Sequence, residues 1–162
     1  MKLIFASSNK NKFIEIEKII PKNIELGNLK EINFFEEIPE NEDTIEGNAT
    51  FKAKYIHSKF NINVFADDTG LEVQALGGKP GVHSARFAGN ECNSEKNITK
   101  LLKELKNIKN RKARFKTIIA LILNKKIYQF EGIINGEILL SKNGNNGFGY
   151  DPIFKPDGYK KS

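Results

Sequence analysis

The chain has 162 residues, of which 39% are hydrophobic and 28% are charged, and this composition predicts one globular domain over residues 1–162. Its single cysteine, Cys92, excludes an intrachain disulfide and favours a cytoplasmic location. No apolar run approaches the roughly 20 residues that span a bilayer, and the N-terminal apolar stretch is too short for a secretory signal, so we expect no membrane partner. The net charge of +6 comes mostly from lysines spread evenly along the chain, which is typical of a solvated surface, so we expect no dedicated nucleic-acid partner.

The first residues predict a β-α-β unit. A strand over 2–6 is followed by a polar loop over 7–12 and by a helix whose apolar residues recur at helical spacing over 13–20. Pro21 ends this helix, and a short strand follows near 24–26. Such a unit predicts a right-handed crossover and a parallel start to the sheet.

Two more helices and a hairpin are predicted further along. The helices run from about Thr44 to Phe60 and from Ser94 to Leu105, with Ser94 as the N-cap of the second. Long β-prone runs on either side of Asn124-Lys125 predict an antiparallel hairpin. Loops are predicted where acidic, glycine or proline residues cluster, at 33–43, 76–81 and 144–152.

The segment VFADDTG, residues 64–70, predicts a buried strand that ends on two carboxylates and a turn, with 71–73 continuing the strand beyond it. Because side chains alternate along a strand, Asp67 and Asp68 should face opposite sides of the sheet. Buried carboxylates need a cation or hydrogen-bond donors, and ligands bind where parallel strands end. The alternative is a solvated loop in which one acid caps a turn.

The polar loop before the first helix contains Ser7, Ser8, Asn9 and Lys12. Backbone N–H groups at a helix N-terminus attract anions, and lysines there are unfavourable unless an anion is present, so a phosphate site is one interpretation. The other is that Ser8 or Asn9 only caps the helix. The glycines of a Walker A loop are absent.

Acidic residues precede the second helix. Glu42 and Asp43 either stabilise the helix start or fold back toward Asp68 to hold Mg²⁺ together with substrate phosphates. Lys52 and Lys54 are two positions apart on this helix, so at most one of them can reach Asp68.

Two further segments carry polar or aromatic candidates. Arg86 is a ligand for phosphate or carboxylate, or else an ordinary surface ion pair. In the segment GFGYDP, Phe148 and Tyr150 can stack on a base while Asp151 accepts from base N–H groups. The alternative is that these aromatic rings fill the edge of the core.

Four segments, in this order, carry a family resemblance: ASSNKNKFIEI near the N-terminus, NATFKAK at 48–54, FADDTGLEVQALGGKPGVHSARFAG at 65–89 and GFGYDPIF at 147–154. With them the chain resembles the nucleoside triphosphate pyrophosphatases of the Ham1/RdgB type, the inosine triphosphatase family. The resemblance implies an α/β fold, with an elongated two-lobed mixed β-sheet flanked by helices, and a homodimer. It also implies Mg²⁺-dependent (or Mn²⁺-dependent) hydrolysis of the purine nucleoside triphosphates ITP, dITP and XTP to the monophosphate and pyrophosphate.

The resemblance also implies roles for individual residues. Asp68 is the catalytic carboxylate and a metal ligand supported by Asp67, and Glu42 is the second ligand with Asp43 as the reserve. The substrate-binding residues that it implies, with Arg86 added from the residue analysis, are Ser7, Asn9, Lys12, Lys52, Thr69, Arg86, Phe148, Gly149, Tyr150 and Asp151.

Relatives in this family continue past the FGYDPIF segment into a Ser-His-Arg motif that contacts the purine, whereas this sequence ends at Ser162. We therefore expect a domain shortened at its C-terminus. An alternative function follows from this, a nucleotide-binding protein with lost or weak turnover.

Overall fold

The computed structural model describes residues 1–144 and 147–159, and these residues form both strands and helices. The α-helices of these residues are α1 (Lys10–Ile19), α2 (Ile45–Phe60) and α3 (Ser94–Glu104). Their strands are β1 (Lys2–Phe5), β2 (Glu25–Asn28), β3 (Val64–Val73), β4 (Pro80–Gly81), β5 (Lys112–Leu123), β6 (Lys126–Ile138) and β7 (Phe154–Pro156). In the same two stretches, no helix combines the length and apolar composition needed to cross a membrane.

The seven strands of the described residues form one mixed sheet in the order β2-β1-β3-β5-β6-β7, with β4 paired to β3. β1 pairs in parallel with β2 and with β3, in a register that places Phe5 opposite Phe65. β4 and β7 pair antiparallel with their neighbours. The predicted β-α-β start and the predicted mixed sheet flanked by helices are therefore confirmed.

The chain divides into two compact units, residues 1–68 with 118–131, and residues 69–117 with 132–162. In the first unit, α1 covers a cluster in which the Phe5 and Phe65 rings stack with centroids 4.8 Å apart. In the second unit, α3 packs on its own cluster, whose buried members include Leu71, Ile98, Leu101, Leu105, Ile138, Ile153 and Phe154. Each unit thus buries apolar surface of its own.

Three predicted boundaries are wrong. β3 runs without interruption through Thr69 and Gly70, so the acidic pair lies in mid-strand and not at a tip. The predicted turn is absent because β4 pairs with β3 at Leu71 and Glu72, beyond the point where pairing with β1 ends. The first helix begins at Lys10, inside the predicted loop, and α3 is capped by Asn93 instead of Ser94.

The β5–β6 hairpin is confirmed, and its turn is a two-residue loop. Asn124 and Lys125 have φ values of 50° and 65°, both in the left-handed region. Positive φ at both central residues is the geometry of a type I′ turn, whose preferred second residue is glycine. Lys125 therefore occupies a position that costs its side chain free energy.

We expect Lys125→Gly to raise the free energy of unfolding by roughly 0.5–1 kcal/mol, because glycine adopts this φ without steric cost. Urea denaturation of the purified chain measures the change. Lys126→Gly, at the first position of β6, is the matched control and should lower stability. A Lys125→Gly chain less stable than the parent would contradict the turn geometry.

Candidate active site

The two adjacent carboxylates of β3 face opposite sides of the sheet, as the alternation predicts. Asp67 faces α1, where its Oδ2 lies 2.5 Å from Lys12 Nζ. Asp68 faces α2 and contacts Asn48 and Lys52. Each carboxylate is therefore matched by a lysine from the helix on its own side.

The start of α1 fixes the position of Lys12. Asn9 is the N-cap, and its Oδ1 accepts from the backbone N–H groups of Asn11 and Lys12 at 2.9 and 3.2 Å. Ser7 Oγ in turn accepts from Asn9 N at 3.2 Å. No acidic residue lies in the first turn of the helix. The capping interpretation is thus confirmed for Asn9, and the phosphate site stays a prediction that this electropositive turn allows.

Asp68 is a buried carboxylate, 8% exposed. Its Oδ2 accepts from Asn48 Nδ2 at 3.3 Å, and its Oδ1 lies 3.9 Å from Lys52 Nζ. Burial raises the pKa of Asp68 above its usual range, and the nearby Glu40 carboxylate also raises it, whereas Lys52 and Asn48 lower it. Desolvation outweighs the neighbouring cation, which makes Asp68 a stronger proton acceptor than an exposed aspartate.

Lys52 lies between Asp68 and a second carboxylate, that of Glu40. It is only 6% exposed, and its Nζ lies 2.6 Å from Glu40 Oε1 as well as 3.9 Å from Asp68. Lys54 is exposed, so the expectation that at most one of the two lysines reaches Asp68 is confirmed. Two carboxylates consequently face one buried cation.

Glu40, which the sequence patterns did not single out, is the acid before α2 whose charge raises the pKa of Asp68. The Glu42 side chain is exposed and packs beside Gly47, while its backbone N–H donates to Asn48 Oδ1 at 3.1 Å. Asp43 is exposed and precedes Thr44, the N-cap of α2. This backbone bond holds residue 42 at the start of the helix, and the role of Glu42 as a metal ligand stays a prediction.

Asn48, which the sequence patterns did not single out, is fully buried at 0% exposure. A signal for it was present. Asn48 and Lys52 are four positions apart, on the face of α2 that carries the buried Ala49, Ala53 and Ile56. Polar side chains on an otherwise apolar helix face require partners, and here they meet Asp68 and Glu40.

Tyr150 and Asp151, two candidates of the second unit, belong to a loop attached to its core. Tyr150 is 5% exposed, and its hydroxyl donates to Ser84 O at 2.9 Å, so the ring is a core residue and offers little surface for base stacking. Burial raises the pKa of this hydroxyl. Asp151 Oδ2 accepts from Phe148 N at 2.8 Å and closes the loop, and burial raises the pKa of this carboxyl too.

Three other predicted residues lie in this second unit. Gly149 has a φ of 62° within the same loop, which favours glycine. Thr69 Oγ1 lies 2.9 Å from Thr117 Oγ1 on β5. Arg86 ends a short 3₁₀ helix, Ser84–Arg86.

Replacing Tyr150 by phenylalanine should lower the free energy of unfolding by about 1–2 kcal/mol, because a buried carbonyl loses a hydrogen-bond donor. Thermal or urea denaturation measures it. Tyr159→Phe, at a tyrosine that is 71% exposed, is the control and should leave stability unchanged. Equal stability of both variants would show that the hydroxyl contributes nothing to the core.

Glu40 and Asp68 are the acidic residues beside Lys52 that could supply oxygen ligands to a divalent metal ion. Among the described residues, no group of three or more His, Cys, Asp or Glu side chains could hold a metal ion. Mg²⁺ binds through one or two carboxylates, with waters and substrate phosphates as the remaining ligands. Two oxygen donors that already share a cation fit such a site.

The model of the Ham1 family matches residues 3–162. The chain belongs to this family. A dITP/XTP pyrophosphatase of Flavobacterium johnsoniae is 57% identical over 162 residues, which are 100% of this chain and 84% of that protein. One of Christiangramia forsetii is 55% identical over 100% of this chain and 85% of its own length.

Solved structures of Ham1 proteins have the same fold. The Ham1 protein of Staphylococcus aureus matches with a TM-score of 0.89 and 37% identity, covering 100% of this chain and 84% of that one. A HAM1 protein of Coxiella burnetii matches with a TM-score of 0.87 and 33% identity, over 95% of this chain and 81% of its own. The fold and the family expected from the sequence are both confirmed.

Proposed function

We propose that this chain hydrolyses dITP, XTP and ITP to the nucleoside monophosphate and pyrophosphate. The observation that carries the proposal is Asp68, a buried carboxylate held between an amide and an ammonium group, with a second carboxylate on the same ammonium. The relatives above, named dITP/XTP pyrophosphatases, support the choice of substrate. The alternative of a nucleotide-binding protein without turnover is not favoured, because those relatives are named as enzymes.

The phosphate chain of the substrate is bound by positive groups of the first unit. We assign this role to Lys12 and Lys52, assisted by Ser7, Asn9 and the N-terminal turn of α1. Both lysines are held by carboxylates, Lys12 by Asp67 and Lys52 by Glu40, so their positions are fixed before substrate arrives. Fixed cations stabilise the charge that develops on the leaving pyrophosphate.

Glu40 and Asp68 are the proposed ligands of the metal ion, which we take to be Mg²⁺ with Mn²⁺ as a substitute. When bound, the ion supplies charge neutralisation at the phosphate oxygens. Glu40 replaces Glu42 in this assignment because its carboxylate, and not that of Glu42, shares Lys52 with Asp68.

Asp68 orients the attacking water and accepts its proton. Its raised pKa favours proton transfer, since a base works best when its pKa approaches the working pH. Asp67 holds Lys12 on the other side of the strand. For the second unit we keep contacts from Thr69, Arg86, Phe148, Gly149 and Asp151 as proposals. Tyr150 acts by fixing the loop to the core.

Pyrophosphate release from dITP, XTP, ITP, dATP and dGTP, with Mg²⁺, with Mn²⁺ and with EDTA, tests the proposal. We expect dITP and XTP to be cleaved at least about tenfold faster than dATP, and cleavage to stop in EDTA. Equal rates for all five nucleotides would contradict the substrate assignment. Binding of XTP without any pyrophosphate release would support the nucleotide-binding alternative.

We also propose a homodimer, on the family resemblance alone. Light scattering of the purified chain should give twice the chain mass. The mass of a single chain at micromolar concentration would contradict this.

A further inference from the structure

We propose that Asn48 is a positioning residue that sets the orientation of the Asp68 carboxylate and the place of the segment that carries Glu40. The inference rests on the proposed function. Asn48 is 0% exposed, although asparagine is seldom fully buried without a specific set of partners. Both ends of its amide are used, one on Asp68 and the other on the backbone of the segment that carries Glu40.

The nitrogen end acts on Asp68. Asn48 Nδ2 donates to Oδ2 at 3.3 Å, which leaves Oδ1 as the oxygen that faces Lys52 Nζ at 3.9 Å. A carboxylate on β3 can rotate about its terminal torsion, which is a soft one. A buried donor on one oxygen restricts that rotation and so selects which oxygen faces the cation and the substrate.

The oxygen end acts on the acidic connection. Asn48 Oδ1 accepts from the backbone N–H of Glu42 at 3.1 Å, two residues after Glu40. The Glu40 side chain contacts Lys52, which lies one turn after Asn48 on α2. One amide on α2 thus connects the segment that carries one carboxylate with the strand that carries the other.

An aspartate at this position would keep the acceptor for Glu42 and would replace the donor to Asp68 by a second carboxylate oxygen. A leucine would lose both. Comparison of the two variants therefore separates the two contacts of Asn48. If the leucine variant does not fold, the aspartate variant still provides the test, because it keeps the side-chain volume and the contact with Glu42 N.

The test is a double-mutant cycle with Asp68→Asn, read as kcat for pyrophosphate release from XTP at saturating Mg²⁺. We expect Asn48→Asp and Asn48→Leu each to lower kcat roughly ten- to a hundredfold with a smaller change in KM, because a displaced base acts on the transition state. In the Asp68→Asn background the same substitutions should lower kcat less than about twofold, because residues that act as a unit are not additive.

The matched control is Asn97→Leu. Asn97 is also a buried asparagine, 3% exposed, which holds Ala85 O and Ala88 N in the second unit. Any effect of Asn97→Leu on kcat should multiply with that of Asp68→Asn. Multiplicative effects at Asn48, or unchanged kcat in Asn48→Asp, would overturn the inference while leaving the pyrophosphatase assignment intact. Absence of pyrophosphate release from the unmodified chain would instead overturn the proposed function.

Discussion

Replacing Asp68 by asparagine should lower turnover at least about a hundredfold while substrate binding is largely kept. Asparagine has the same shape and can still accept from Asn48, but it cannot take a proton and is a poor metal ligand. Pyrophosphate release from XTP measures turnover, and calorimetric titration with XTP measures binding. Asp157→Asn, at an exposed carboxylate of the second unit, is the control and should retain the activity of the parent chain.

The same substitution should raise thermal stability at neutral pH in metal-free buffer. Burial holds the pKa of Asp68 above its value in the unfolded chain, so the ionised form is less stable in the folded state. Below the unfolded pKa both states are protonated and there is no penalty. As the pH rises through the folded pKa, stability is lost in the parent chain but not in Asp68→Asn. The difference in Tm should therefore be present at pH 7 and vanish near pH 3. A variant that is less stable than the parent at pH 7 would contradict desolvation as the dominant effect on Asp68.

The second large effect is expected at Glu40. Glu40→Gln should raise the Mg²⁺ concentration for half-maximal activity at least about tenfold, because one of two carboxylate ligands is lost. It also leaves buried Lys52 with Asp68 as its remaining carboxylate. A titration of activity with Mg²⁺ at fixed XTP measures the shift.

Glu42→Gln is the matched control, since it changes an acid only two residues away whose side chain is exposed. Its Mg²⁺ curve should coincide with that of the parent chain. The opposite result, a shifted curve for Glu42→Gln and an unchanged one for Glu40→Gln, would return the metal site to Glu42, the residue expected from the family resemblance.

Regular patterns in the sequence predicted the parts of the fold that depend on periodicity. Apolar spacing located α1 and α2, and the turn residues Asn124 and Lys125 located the hairpin. The alternation of β3 placed Asp67 and Asp68 on opposite faces, each beside a different helix.

The parts that were missed depend on contacts between distant segments. The connection over 33–43 carries five acids with no periodicity, so nothing in it distinguishes Glu40 from Glu42. Contacts with α2 determine which of these two side chains lies near Asp68. Asn48 binds the backbone of residue 42, and Lys52 binds the side chain of Glu40. Likewise Thr69-Gly70 has the composition of a turn, and only pairing with β4 shows that it continues a strand.

The central claim is that Asp68, Glu40, Lys12 and Lys52 direct water to the triphosphate at the α–β linkage. Phosphorus NMR of the products formed from XTP tests this claim most directly. The claim predicts the resonances of a nucleoside monophosphate and of pyrophosphate in equal amounts, with both formed at least about a hundredfold more slowly by Asp68→Asn. Nucleoside diphosphate with inorganic phosphate, or undiminished product from Asp68→Asn, would contradict it.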